Sequence, residues 1–389
     1  MSIPRPSGAP GAYFAALGVT TEVTRQVMAA ALSKGGDNCD LYFEHASSTS
    51  ILLTDGKVNQ ASTQVSLGMG VRVRIGDQVG YAYSEDLSPA ALKSAALTAA
   101  GIANASAPMD VATPVAMSIP NHYPVVQPWD DVDIGLRVNL VREWEQAAFA
   151  RDERIKRVEV SLSDAAKVVM IVRPDGRLIE DWRPMTRASL RCTAEGTGPD
   201  GEPVREAYGY NMAGRAGLEY FNEARQAQLV SEGVDRTLFL LNATSPAPGE
   251  MPVVLAAGPS AILLHEAIGH GMEADFNRKR ISIYADKMNK TIANDQVTIV
   301  DDGTLFGARG SINIDDEGNE TERTVLVENG VLRSYMHDEL SAAYYGIKPT
   351  GSGRRQSFRH VPMPRMRSTL MEAGPHDPQS IIESVKNGI

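Results

Sequence analysis

Hydrophobic and polar positions alternate between two rhythms along this 389-residue chain. In TTEVTRQVMAAALSKGG (20–36) the apolar residues recur at helical spacing and glycines close the run, which predicts an amphipathic helix. The period then changes to two. CDLYFEHA (39–46) and TSILLTDGKVNQAS (49–62) read as strands, the latter a hairpin turning at Asp55-Gly56. MGVRVRIGDQVGYAYS (69–84) alternates again and turns at Gly76-Asp77, and Ser88-Pro89 opens an alanine-rich helix to Ile102. These elements predict an N-terminal α+β domain over 13–103, with an antiparallel sheet covered on one face. His45, near a strand end, reads as structural.

Prolines 108, 114, 120, 124 and 128 mark a linker or an extended crossing segment. Asp131 to Arg151 reads as a helix. Residues 158–184 predict a strand and a hairpin at Asp175-Gly176, 187–196 a further strand, and 197–215 a glycine-rich loop with a return strand. Residues 222–243 predict the helix that packs this middle α+β domain, 125–244. Strands followed by helices, with no βαβ rhythm, argue against a parallel sheet. In the C-terminal domain, 245–389, MPVVLAAG (251–258) reads as a strand running into a helix. Residues 279–293 read as a surface segment, a flap beside that helix. Two strands with an acidic turn are expected over 297–318. Residues 321–346 predict a strand, an Asn329-Gly330 turn, a return strand and a short helix.

The chemistry concentrates in PSAILLHEAIGHGMEADFNR (259–278). Pro259 and Ser260 start a helix whose first turn is apolar. His265 and Glu266 follow, then His270, with Glu273 and Asp275 close behind. Two imidazoles could hold Zn²⁺, and an adjacent carboxylate could take a proton from water activated there. In the familiar H-E-x-x-H spacing the histidines stand at i and i+4. Here they stand at i and i+5, about 140° apart on a regular α-helix. A single π-type turn would bring them to one face, and Gly269 and Gly271 would permit it. The plain alternative is a buried helix end with two polar histidines.

HEAIGHGMEADFNR resembles the motif of the TldD/PmbA family, in its TldD-type metalloprotease branch. LYFEHASSTSILLTDGKVNQAS (41–62) and GMGVRVRIGDQVGYAYSEDLS (68–88) resemble that family's first block. VTIVDDGT (297–304) and YGIKPTGSGRRQSFRHVPMPRMRSTLM (345–371) resemble the block after the motif. The resemblance implies a mainly antiparallel, barrel-like C-terminal sheet carrying the metal-site helix. It implies His265 and His270 as zinc ligands, Glu266 as general base, and small or unfolded polypeptides as substrates. It also implies assembly with a PmbA-type paralogous subunit; a homo-oligomer is the alternative. The family's third ligand is a cysteine beyond residue 389, so the chain is expected to be C-terminally truncated relative to the family, with an incomplete C-terminal domain. A catalytic zinc takes three protein ligands. Asp275, Glu273 and His337 are the candidates for a substitute within the chain, each otherwise a surface or structural residue.

Composition narrows the rest. Hydrophobic content of 43% suits real cores, and a net charge of −10 argues against nucleic acid as a partner. No apolar run approaches a membrane span and the N-terminus lacks a signal-peptide core, which predicts a soluble, cytoplasmic protein. Cys39 and Cys192 make no disulfide framework and fall outside the metal block. Arg354, Arg355, Arg359, Arg365 and Arg367 form a basic cluster, either a solvated loop or a groove for substrate backbone or carboxylate. GSGRR (351–355) is no phosphate loop, since no G-K-[ST] follows. His360 reads as exposed, and His122 and His376 carry no signal. A zinc peptidase is therefore expected. A catalytically inactive partner or scaffold subunit, or a hydrolase of non-peptide bonds, are the other readings.

Overall fold

The period-two stretches form strands longer than their sequence segments suggest. The computed structural model describes residues 5–103 and 109–389; residues 1–4 and Pro108 lie outside them. Residues 38–54 are one strand, β1 (Asn38–Thr54), followed by β2 (Lys57–Ile75) and β3 (Gln78–Ser84). Asp55 and Gly56 both take positive φ, 49° and 76°, as a two-residue hairpin turn demands. A short β4 (Val115–Ala116) precedes β5 (Ile155–Val172), β6 (Arg177–Thr197) and β7 (Pro203–Gly214). β1 pairs antiparallel with β5 over fourteen positions, from Leu41↔Val172 to Thr54↔Glu159. The N-terminal and middle strands therefore share one seven-stranded sheet, β3-β2-β1-β5-β6 with β7 and β4 on β6. Among the described residues of this sheet, the two-residue β4–β6 pairing alone is parallel.

Helices α1 (Ala12–Ala16), α2 (Thr21–Ala31) and α3 (Pro89–Ala99) cover one face of the β1–β2 half. The covered face follows the strand period. Leu41 and Phe43 of β1, with Val168, Met170 and Val172 of β5, pack with Val27, Leu32 and Leu92. The alternate residues Tyr42, Val169 and Ile171 pack on the opposite face against Ile314 and Phe358. The expectation of one covered face thus fails here, because the C-terminal segment seats on the other side. At the other end of the sheet, α4 (Ile134–Arg151) and α5 (Glu223–Leu240) pack Trp144, Leu229 and Val234 on Val158, Val160, Leu190 and Cys192. Cys39 and Cys192 are both buried free thiols. No helix among the described residues is long and apolar enough to cross a membrane.

The C-terminal segment is built on β8 (Ile299–Asp302), β9 (Arg323–Glu328) and β10 (Val331–Leu332). A two-stranded ribbon, β11 (Gly353–Arg354) with β12 (Met363–Pro364), follows, and then β13 (Thr369–Met371). β8, β9, β10 and β13 form an open antiparallel sheet, β10-β9-β8-β13, not closed into a barrel. The expected strand at 251–258 is not formed. Val253 and Leu255 are exposed, and among the described residues the backbone bonds of Pro252 and Val254 go to Ile389 alone. The expected second strand of 297–318 is instead a buried loop in which Asp315, Asp316 and Glu317 are all but inaccessible.

That acidic loop docks on charges carried by the large sheet. Arg72 of β2 donates to Asp40 at 2.6 Å and to Glu317 at 2.6 Å. Arg183 of β6 donates to Asp181 at 2.8 Å and also to Asp316. Arg355 reaches back to Asp40. Burial pushes the Glu317 carboxyl up, with Arg72 opposing and the neighbouring carboxylates of Glu339, Asp338 and Asp315 reinforcing. A buried pair of this kind adds little net stability, but removing one partner costs about 3–5 kcal/mol.

Candidate metal centre

The apolar turn before the histidines is helical, α6 (Ala261–Leu264), and then the winding loosens. Residues His265–Gly269 form a π turn, with the N–H of His270 donating to the carbonyl of His265. A π turn adds a residue per turn, so side chains at i and i+5 come to one face. The rings of His265 and His270 stand with centroids 4.7 Å apart at 87°. One ligand atom each from His265, Glu266 and His270 lies within 4.8 Å of the others, the one such cluster among the described residues. Glu266 is exposed and the histidines are partly so, which leaves the cluster open to solvent.

The glycines serve a different purpose from the one expected. Gly269 has ordinary helical angles, φ −55° and ψ −59°. Its missing side chain is what matters, since a Cβ there would lie 2.1 Å from the Met366 sulfur. A Cβ on Gly271 would lie 2.6 Å from the Tyr284 ring. Tyr284 belongs to the expected flap, which is tied down at this point. Its hydroxyl donates to the carbonyl of Ala267 at 3.1 Å, inside the π turn, and Ser282 Oγ donates to the carbonyl of Gly271 at 2.7 Å. The alternate residues Ile281 and Ile283 face solvent.

Among the substitute ligands weighed from sequence, Asp275, Glu273 and His337 all stay out of the cluster. Glu273 is fully buried, with Oε1 3.3 Å from His270 Nδ1 and Oε2 accepting from Arg365 at 2.9 Å. A carboxylate on Nδ1 fixes the ring and leaves Nε2 free for an ion, the usual support behind a metal-ligating histidine. Burial pushes the Glu273 carboxyl up, while Arg365 and then His270 pull it down. Its i+3 spacing from His270 was the sequence signal for this contact. Asp275 leaves one carboxylate oxygen buried and unpaired. His337 is buried among Tyr335 and Tyr345 with neither ring nitrogen bonded, and burial lowers its pKa to about 4.

The basic cluster is not a solvated loop. Arg367 is fully buried on Asp301 at 2.7 Å, Arg355 on Asp40, and Arg359 pairs with Glu85 at 2.7 Å. His360 shares a 3.0 Å contact between its Nδ1 and Ser357 Oγ. His45 is structural as expected, its Nδ1 lying 2.7 Å from the Tyr13 hydroxyl.

An open antiparallel sheet thus stands beside a π turn that gathers two histidines and a glutamate able to hold a metal ion. The sequence matches the PmbA/TldA metallopeptidase domain 1 over residues 39–103, the central domain over 127–241 and the C-terminal domain over 248–389. The chain belongs to the PmbA/TldD metallopeptidase family. It is 37% identical to the metalloprotease TldD homolog of Haemophilus influenzae over 361 residues, 91% of this chain and 74% of that protein. The zinc metalloprotease TldD homolog of Saccharolobus solfataricus is 36% identical over 162 residues, 41% of this chain and 36% of that protein. A solved Bacteroides thetaiotaomicron protein superposes with a TM-score of 0.74 at 19% identity, covering 95% of this chain and 82% of its own. TldE from Thermococcus kodakarensis superposes at 0.71 with 18% identity, covering 94% and 81%. At these identities the structures speak to the fold.

Proposed function

We propose that this chain is a zinc-dependent peptidase acting on small or unfolded polypeptides in the cytoplasm, beside a paralogous PmbA-type subunit. The gathering of His265, Glu266 and His270 by the π turn is the observation that supports it. The donor set suits zinc, with two imidazoles, one of them braced by a buried carboxylate, and an open face for substrate. His265 and His270 would hold the ion, which supplies Lewis-acid polarisation of the scissile carbonyl and acidifies water. Glu266, exposed on the same face, takes the proton of the attacking water and passes it to the departing amine. Glu273 keeps the His270 ring turned, and Arg365 holds the Glu273 carboxylate in place. Neither Glu273, Asp275 nor His337 is assigned as a third ligand.

The test pairs zinc content with cleavage of a denatured polypeptide. The parent should retain zinc and cleave, His270→Ala should lose the zinc, and Glu266→Gln should keep the zinc and lose cleavage. Cleavage that survives Glu266→Gln, or zinc that survives His270→Ala, would sink the assignment.

A further inference from the structure

The ribbon of β11 and β12 borders an open cavity of about 450 Å³ lined in part by Arg354, Arg355, His360, Met363, Arg365 and Met366. Its wall adjoins the π turn. Met366 packs against Gly269, and Arg365 holds the Glu273 that braces His270. Most cations of this segment are already taken, as Arg355 has Asp40, Arg359 has Glu85, Arg365 has Glu273 and Arg367 has Asp301. Arg354 differs. Among the described residues it forms no ion pair, and its buried Nε has no hydrogen-bond partner. Asp316, the carboxylate that feels its charge, accepts from Arg183 on one oxygen and from the Arg355 N–H on the other.

A second guanidinium compounds the imbalance. Arg215 is buried over the Tyr123 ring, donates to the carbonyl of Pro184, and also leaves its Nε unpaired. Burial lowers its pKa to about 10, and the charge of Arg354 pushes in the same direction. An incompletely paired buried guanidinium is costly. One bordering an open cavity is positioned to receive an anion, and its planar fork matches a carboxylate.

We infer that Arg354 is a specificity-determining residue, whose guanidinium binds a substrate carboxylate in the β11–β12 cavity beside the His265–Glu266–His270 cluster. The carboxylate is either the C-terminus of a short peptide or an acidic side chain near the scissile bond. The inference rests on the peptidase reading for its meaning, but its test needs no cleavage. With Glu273, Asp40, Glu85 and Asp301 satisfying the neighbouring arginines, Arg354 is the one whose replacement disturbs no ion pair of the segment.

Binding of fluorescent tetrapeptides is measured by anisotropy on the full chain, in EDTA so that no metal can hold the carboxylate. The free acid should bind about tenfold tighter than its C-terminal amide, the worth of one charge-assisted hydrogen bond. Arg354→Gln should erase the difference, and Arg354→Lys should keep part of it. Amidated peptides ending in Glu or Gln separate the sources. A preference confined to the free terminus assigns the α-carboxylate, and one carried by Glu over Gln assigns the side chain. Equal or undetectable binding of acid and amide by the parent, with no preference for Glu over Gln among the amidated peptides, overturns the inference. So does a preference that survives Arg354→Gln with unchanged circular dichroism. Loss of cleavage in Glu266→Gln is read separately and bears on the peptidase assignment alone.

Discussion

His270 donates its backbone N–H to the carbonyl of His265, five residues back, and this bond sets the two imidazoles at 4.7 Å between ring centroids. The Met366 side chain lies where a Cβ on Gly269 would stand. Gly269→Ala should therefore overpack the turn and cost about 1–3 kcal/mol. Met366→Ala in the same chain should recover part of that loss. Urea unfolding of the two single variants and the double variant measures the coupling, and simple additivity would show that Met366 yields freely.

Glu273 bridges His270 and Arg365 without being exposed at all. Glu273→Gln keeps its size and weakens its hold on the His270 ring. Zinc affinity should fall about 10- to 100-fold, as for other supports of metal-ligating histidines. Competition with a chromophoric chelator measures it. Unchanged affinity would leave Glu273 the plain role of anchoring Arg365.

Arg367 and Asp301 are fully buried together, and Arg367 also donates to Thr321, Thr324 and the carbonyl of Thr350. Arg367→Met leaves Asp301 charged and uncompensated, so stability should drop by about 3–5 kcal/mol. Adding Asp301→Asn should recover part of it. A single variant as stable as the parent in urea would show that water reaches the site.

His337 gives the fold an acid-sensitive limb. Its ring is neutral in the folded chain down to about pH 4, whereas the ordinary value is 6.5. Between those values the unfolded chain takes a proton that the folded chain refuses. Its contribution to stability is therefore whole above pH 6.5 and declines as pH falls toward 4, by at most about tenfold in the folding constant per pH unit. Asp164, raised to about 6 by burial, acts with the opposite sign in the same window. The readout is thus the difference between parent and His337→Phe, followed by urea midpoints from pH 7 to 4.5. The variant should be the less acid-sensitive of the two, and parallel curves would refute the buried neutral ring.

The turns were the most legible features of the sequence. Asp55-Gly56 and Asn329-Gly330 both adopt positive φ at each residue, because few other pairs tolerate that geometry. The i, i+5 histidines likewise called for a π turn on helical geometry alone, and one is present. What local pattern could not supply was distance. MPVVLAAG has the apolar look of a strand, but a strand needs a ladder partner, and Pro252 and Val254 bond only with Ile389 among the described residues. The arginines of 354–367 look solvated in isolation because Asp40 lies more than three hundred residues from Arg355. Asp315, Asp316 and Glu317 look like an exposed acidic turn for the same reason.

The docking of Glu317 on Arg72 and of Asp316 on Arg183 makes the C-terminal segment a tenant of the large sheet. Grafted onto a sheet from a distant relative without those two arginines, it would carry two buried carboxylates stripped of the cations that pair with them. Such chimeras should assemble only when the arginines of β2 and β6 travel with the segment. Exchange of parts between relatives is therefore set by matched buried charge rather than by where one compact unit ends and the next begins.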